Sequence, residues 1–183
     1  NGVFDGFRGV GSDVTQQRES SEKIAYLARY DTLTRLPNRL LLNETLGEAM
    51  RYAEQWRTRC AFLMIDLDRF KAVNDTLGHL VGDRLLERVA ERLRSLITDN
   101  ELVGRLGGDE FGIVIRDAPD SNRVGAVARR VIDTLSVPYE IDHHTLYVGA
   151  SVGSALGPRD GATVETLMRS ADLALYRSKD EGG

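Results

Sequence analysis

Apolar and polar positions recur along the chain with two periods, and the changes from one to the other mark out its elements. The clearest stretch is Gly82 to Ile97, where Leu85, Leu86, Val89, Ala90, Leu93, Leu96 and Ile97 fall on one face at helical spacing, which predicts an amphipathic helix buried along that stripe. A second such helix follows from Val124, Val127, Ala128, Val131, Ile132 and Leu135, a third spans roughly Arg39 to Trp56 behind Asn38 as its cap, and a fourth spans about Val164 to Arg177. Ala61 to Asp66 is a short continuous apolar run ending in an acid, the pattern of a central strand. Glu101 to Arg105 and Phe111 to Ile115 read as two short strands joined by Leu106-Gly107-Gly108-Asp109-Glu110, whose adjacent glycines admit the positive φ of a tight hairpin. Further strands are predicted at Tyr139 to Ile141 and Leu146 to Ala155, across the polar turn Asp142-His143-His144.

Helices and strands mix here without strict βαβ alternation, and two hairpins are implied. The fold class expected is therefore α+β: a ferredoxin-like core, with a mixed sheet covered by helices.

The first residues differ in pattern. Gly2, Gly6, Gly9 and Gly11 interleave with Val3, Phe4, Phe7 and Val10, which favours a hairpin or the end of a sheet over residues 1–12. Asp13 is then placed as the cap of a linker helix over residues 13–30, with Ile24, Leu27 and Ala28 as a modest apolar stripe. On pattern alone this helix serves equally as a solvated connector or as a segment that pairs with its own copy. A compact unit from residue 31 to 183 follows.

Composition narrows the class of partner. With 183 residues, 42% of them hydrophobic and 28% charged, the chain supports one well-buried core. Its formal charge of -4 argues against long nucleic acid. A small anionic ligand stays open, because a few placed cations and backbone amides suffice to hold phosphate. Cys60, the only cysteine, sits within an apolar run and reads as a buried thiol of a reducing compartment. No apolar stretch reaches the roughly 18 residues of a membrane span. The expected location is cytoplasmic, and a start at Asn1 suggests a piece of a longer protein whose other parts can carry a membrane segment.

Two acidic motifs carry the candidate chemistry. Asp66 and Asp68 flank Leu67 at the carboxyl end of the predicted central strand, and Asp109 and Glu110 follow the glycine pair. Either motif alone is more often capping and solvation than a site. If the glycine hairpin neighbours the strand ending at Asp66, these acids converge, and convergent carboxylates are costly unless a metal neutralises them. Mg²⁺ suits such a place because it needs few protein oxygens when phosphates supply the rest. Lys71, close after the acids, can meet phosphate, and Asn74 and Asp83 offer the donor and acceptor pattern of a guanine edge.

Taken together, these residues resemble the GGDEF family. Leu106-Gly107-Gly108-Asp109-Glu110-Phe111 carries its namesake motif. Asp31-Thr32-Leu33-Thr34-Arg35-Leu36-Pro37-Asn38-Arg39 resembles its opening, and Asp66-Leu67-Asp68-Arg69-Phe70-Lys71, Asn74-Asp75, Gly78-His79 and Gly82-Asp83 follow its centre. Ser151-Val152-Gly153, Ala171-Asp172, Tyr176 and Lys179 resemble its closing strand and helix. The resemblance implies a palm-type cyclase that condenses two GTP into cyclic di-GMP at the interface of a homodimer, with Mg²⁺ as cofactor and Mn²⁺ as a substitute. It implies that Asp66, the Leu67 carbonyl and Asp109 hold the metal, that Glu110 is a second catalytic carboxylate, and that Lys71, Lys179 and the amides after Asp68 face the phosphates. Asn74 and Asp83 would read guanine, with His79 nearby, Leu33, Phe70 and Leu86 around the base, and Gly107 and Gly108 leaving room for the nucleotide. Gly6-Phe7-Arg8-Gly9-Val10-Gly11-Ser12-Asp13-Val14-Thr15 resembles the end of a PAS domain running into its signalling helix, which implies an upstream sensor.

Two departures stand out. Where many members carry an Arg-x-x-Asp site for inhibition by product, this chain has Thr98-Asp99-Asn100-Glu101, so that inhibition is expected to be lost. The basic residue usual soon after the closing lysine is not found in Asp180-Glu181-Gly182-Gly183. The rival reading is a silent GTP-binding module that regulates a neighbour, such as a phosphodiesterase domain after Gly183.

Overall fold

The computed structural model describes residues 6–180. Its elements, in order, are α1 (Gly6–Arg29), α2 (Arg39–Trp56), β1 (Cys60–Asp68), α3 (Phe70–Leu77), α4 (His79–Leu96), β2 (Glu101–Gly107), β3 (Glu110–Ile115), α5 (Ser121–Leu135), β4 (Tyr139–Ile141), β5 (His144–Leu146), β6 (Gly149–Gly157) and α6 (Val164–Asp180). Four strands form one sheet in the order β2-β3-β1-β6, and β4 and β5 form a separate two-stranded sheet. This is the expected α+β, ferredoxin-like arrangement. Every neighbouring pair of the main sheet is antiparallel, so the sheet is not mixed in direction.

Burial on both faces explains why β1 reads as an unbroken apolar run. Ala61, Leu63, Ile65 and Leu67 enter one core cluster, with Leu85, Leu86, Val89 and Leu93 of α4 and Val124, Val127 and Val131 of α5. Cys60, Phe62 and Met64 point the other way, into a cluster with Leu42 and Leu46 of α2 and Leu167, Ala171 and Leu175 of α6. The sheet thus separates two apolar layers.

Local chemistry sets the boundaries of α2, which starts where expected. The Asn38 side chain accepts a hydrogen bond from the Leu41 amide, and the helix closes on Arg57 in a left-handed conformation at φ 55°. The approach of α6 to the sheet depends on Gly153. A Cβ there would lie 2.1 Å from the Leu175 amide nitrogen and 2.3 Å from the Ala171 carbonyl oxygen, so helix and strand touch backbone to backbone.

Three expectations are corrected. Over residues 6–12 the chain is helical, continuous with the linker helix, where a hairpin or sheet end was predicted. An isolated hairpin is marginal in water without further sheet to join, and no proline interrupts the helix; residues 1–5, which share that prediction, lie outside the described residues. The predicted strand Leu146 to Ala155 divides, because β5 ends at Leu146 to pair with β4 whereas β6 starts at Gly149 to pair with β1. Helix α3, finally, occupies a segment to which the sequence pattern assigned no element. Arg69, its first flanking residue, has φ 68°, and that left-handed residue turns the chain sharply from β1 into the helix.

Candidate functional site

The strand alternation that sends Phe62 and Met64 toward α6 places Asp66 on the same face, at the end of β1. In register, Asp66 stands opposite Glu110 of β3 and Ser151 of β6. The turn between β2 and β3 then swings Asp109 toward them, with Gly107 at φ 145° and Gly108 at φ 50°, conformations that favour glycine. The Asp109 carbonyl accepts a hydrogen bond from the Leu67 amide at 3.3 Å. The acids predicted to converge do so on one sheet edge.

Lys179 answers them from the end of α6. Its ammonium pairs with Oδ2 of Asp66; burial works to lower its pKa, but the hydrogen bond to Asp66 and the charges of Asp66, Asp68 and Asp109 raise it above the ordinary value. One lysine does not balance the group. Burial, and then the charge of Asp66 with Glu110 adding, pushes Asp109 up to about 6. Burial, Asp66 and Asp172 raise Glu110 as well, against the partial offset of Arg39 and Lys179. Such shifts mark carboxylates held close together with too little positive charge around them.

This arrangement fits a divalent cation. Oδ1 of Asp66 is buried and lacks a hydrogen-bond partner among the described residues, and Asp109 faces the same point with an unfavourably ionised carboxyl. No cluster of three or more His, Cys, Asp or Glu side chains forms an all-protein cage among the described residues. Two carboxylates and a carbonyl completed by phosphate oxygens is the pattern Mg²⁺ takes.

Beside the acids opens a cleft of about 640 Å³, lined among others by Leu67, Phe70, Lys71, Asp109 and Lys179. Of the predicted site residues these five, with Asp66 and Glu110 beside them, are brought together. The others are set apart from the cleft lining. Leu86 is a core residue, in the same cluster as Phe70, and Leu33 packs on that cluster. Asn74 lies on α3 with its Oδ1 buried and unpartnered, and a Cβ on Gly82 would lie 1.8 Å from that oxygen. His79 and Asp83 are exposed at the start of α4, and Gly107 and Gly108 at the hairpin tip have open space where a side chain would be.

Sequence reasoning missed the residues that support the hairpin. Arg105 donates from Nε and Nη2 to the Gly108 carbonyl at 3.0 and 2.8 Å, and from Nη1 to both oxygens of Asp31 at 3.1 and 3.2 Å. Asp31 in turn accepts from the amide and hydroxyl of Thr34, each at 2.8 Å. Asp31 and Thr34 were visible only as part of the opening motif and Arg105 only as an arginine two residues before the glycines, with nothing in the sequence to join them. Ser136 and Tyr147, which line the cleft, were not singled out, and Arg69 appeared only within the central motif, without a role of its own.

Comparison with known proteins decides the family. Residues 28–183 match the family model described as diguanylate cyclase, GGDEF domain. The chain belongs to the GGDEF family. It is 42% identical over 168 residues to the bifunctional diguanylate cyclase/cyclic di-GMP phosphodiesterase MucR of Pseudomonas aeruginosa, covering 92% of this chain and 24% of that protein. It is 36% identical to the cyclic di-GMP phosphodiesterase PdeR of Escherichia coli, over 94% of this chain and 26% of the relative. A sensory box/GGDEF family protein of Caulobacter crescentus superposes with a TM-score of 0.79 at 43% identity, covering 84% of this chain and 99% of that one. This GGDEF chain spans about a quarter of the length of the curated relatives it matches first. Among the described residues, no helix is long and apolar enough to cross a membrane.

Proposed function

We propose that this GGDEF domain is a diguanylate cyclase, condensing two GTP into cyclic di-GMP with release of pyrophosphate. The observation that carries the reading is the convergence of Asp66, Asp109 and Glu110 beside a cleft lined by Lys71 and Lys179. Residues that served only the fold would gain from being neutral there, since Asp109 and Glu110 ionise against an opposing field.

In this reading Asp66, the Leu67 carbonyl and Asp109 hold Mg²⁺, or Mn²⁺ in its place, which supplies charge stabilisation at the phosphates. Lys71 and Lys179 face phosphate oxygens. Asn74 and Asp83 orient guanine, with His79 beside them. A 3′ oxygen forms a bond to the α-phosphorus of the other nucleotide as the bond from that phosphorus to the bridging oxygen of pyrophosphate breaks. Fixed positioning of the two reactants provides much of the acceleration.

One domain offers one such cleft, so turnover requires two copies face to face. The exposed Ile24 and Leu27 and the stacked Tyr26 and Tyr30 of α1 give a linker that pairs with its copy, under the control of a PAS-like sensor upstream of it. A second reading, a silent GTP-binding module that regulates an adjacent phosphodiesterase domain, is favoured by the names of PdeR and NbdA, cyclic di-GMP phosphodiesterases that share this region.

The test is incubation of concentrated protein with GTP and Mg²⁺, following cyclic di-GMP and pyrophosphate by chromatography. Product that rises steeply with protein concentration and vanishes in Asp109→Ala establishes the cyclase. GTP binding without product, even with dimerisation forced through α1, establishes the silent module.

A further inference from the structure

The cleft is also walled by Ser136, Tyr147 and Gly149, which come from the end of α5, the β5–β6 connection and the start of β6. Arg69 stands against that wall. It lines the cleft and donates from Nη1 to the Tyr147 carbonyl at 3.4 Å, a long bond to a neutral acceptor.

The cations of this cleft are not equally available. Lys179 is committed to Asp66. Arg69 has no carboxylate partner among the described residues, and of its five N–H donors only one is engaged. The nearest acid along the chain, Asp68, accepts instead from the Ser151 hydroxyl at 2.9 Å. An arginine with a free fork, pinned by a weak contact on the lip of a cleft that also holds Lys71, is prepared for a tetrahedral anion. Its backbone is part of the arrangement. At φ 68° Arg69 occupies a conformation sparsely used outside glycine and asparagine, although a glycine there would turn the chain at less cost.

The company Arg69 keeps identifies which anion. Lys71, Asp109 and Lys179 line the same cleft, where the GTP reading puts the phosphates, whereas Asn74 and Asp83, the guanine-reading candidates, are set apart from its lining. We propose that Arg69 clamps the terminal phosphates of a nucleoside triphosphate, exchanging the Tyr147 carbonyl for charged oxygens. The assignment rests on the GTP reading of the site and deepens it: Arg69 distinguishes tri- from monophosphate and holds the pyrophosphate half as it leaves.

Calorimetric titration of the protein and its Arg69→Gln variant with GTP, GMP and inorganic tripolyphosphate, each with Mg²⁺, tests it. Loss of a charge-assisted fork is expected to weaken GTP and tripolyphosphate about tenfold or more while GMP stays within about twofold, with Arg69→Lys intermediate. An unchanged unfolding midpoint confirms that Arg69→Gln folds. Equal affinity of parent and Arg69→Gln for GTP and tripolyphosphate overturns the assignment and leaves the GTP reading intact. Tripolyphosphate binding that depends on Arg69, in a parent that ignores GTP, upholds the phosphate clamp and removes the GTP reading. A parent that binds neither overturns both, and an equal loss for GMP reduces Arg69 to a structural role.

Discussion

Two acidic groups flank the β2–β3 hairpin, and the same chemistry meets opposite fates in them. Asp31 sits under the hairpin with hydrogen bonds from Thr34 and an ion pair from Arg105, both side chains being largely buried, at 19% and 15% exposed. Although burial alone would raise its pKa, those partners hold Asp31 below the ordinary carboxylate value. Asp109, on the other side of the turn, is pushed up to about 6 by burial and by Asp66. The fold answers the charge of Asp31 from within and leaves that of Asp109 to be answered from outside. A carboxylate with its partners built in stabilises the fold, and one without them is the better candidate for ligand chemistry.

The largest effect that sharpens this contrast is expected from Asp109→Asn. Cyclase activity should fall by about 10²-fold or more, whereas the metal-free protein should unfold at the same or a higher temperature at pH 7, because a like charge has gone. A clear drop in that midpoint would erase the distinction between the two groups. Arg105→Ala should show the reverse balance. It strands Asp31 and the Gly108 carbonyl, and urea unfolding should register a loss of about 2 to 3 kcal/mol, with activity reduced as the turn loses its support.

A smaller effect distinguishes the pair by pH. Because the carboxyl of native Asp31 titrates below its unfolded-chain value, its contribution is complete above about pH 4 and is lost as the pH falls through the lowered native value. Asp31→Asn should therefore lower stability at pH 7 and flatten its decline below about pH 4, as measured by unfolding across that range. The smallest effect expected is none at all. In the stretch Thr98 to Glu101, Glu101 is buried, its Oε1 accepting from the Thr98 amide at 3.2 Å and its Oε2 lying 3.6 Å from Arg123. With no arginine at Thr98 and its acid engaged internally, added cyclic di-GMP should leave the initial rate unchanged; strong inhibition at low micromolar product that is mapped to this stretch would refute this.

What the sequence disclosed and what it withheld divide along local and distant contacts. Helix α2 with its Asn38 cap, the burial of β1 and the convergence of Asp66 with Asp109 all follow from spacing over a few residues plus one hairpin. Helix α3 was hidden because its eight residues, Phe70–Leu77, are too few for a periodic stripe and its entry depends on a left-handed arginine. The partition of β5 from β6 depends on which strand each half joins, and no local pattern encodes that. Arg105 and Asp31 are 74 positions apart, so their pairing emerges only once the hairpin has folded over the end of the linker.

The bare contact at Gly153 has a mechanical consequence. With strand backbone against helix backbone between Ala171 and Leu175, α6 lacks the layer of side chains that elsewhere absorbs small shifts. That contact becomes a fulcrum, and Lys179 rides on the free arm four residues beyond it. At 1.5 Å per residue the arm is about 6 Å, so a tilt of about 10° carries the base of the lysine by about 1 Å. Whatever leans on the outer face of α6 thereby reaches the lysine that holds Asp66.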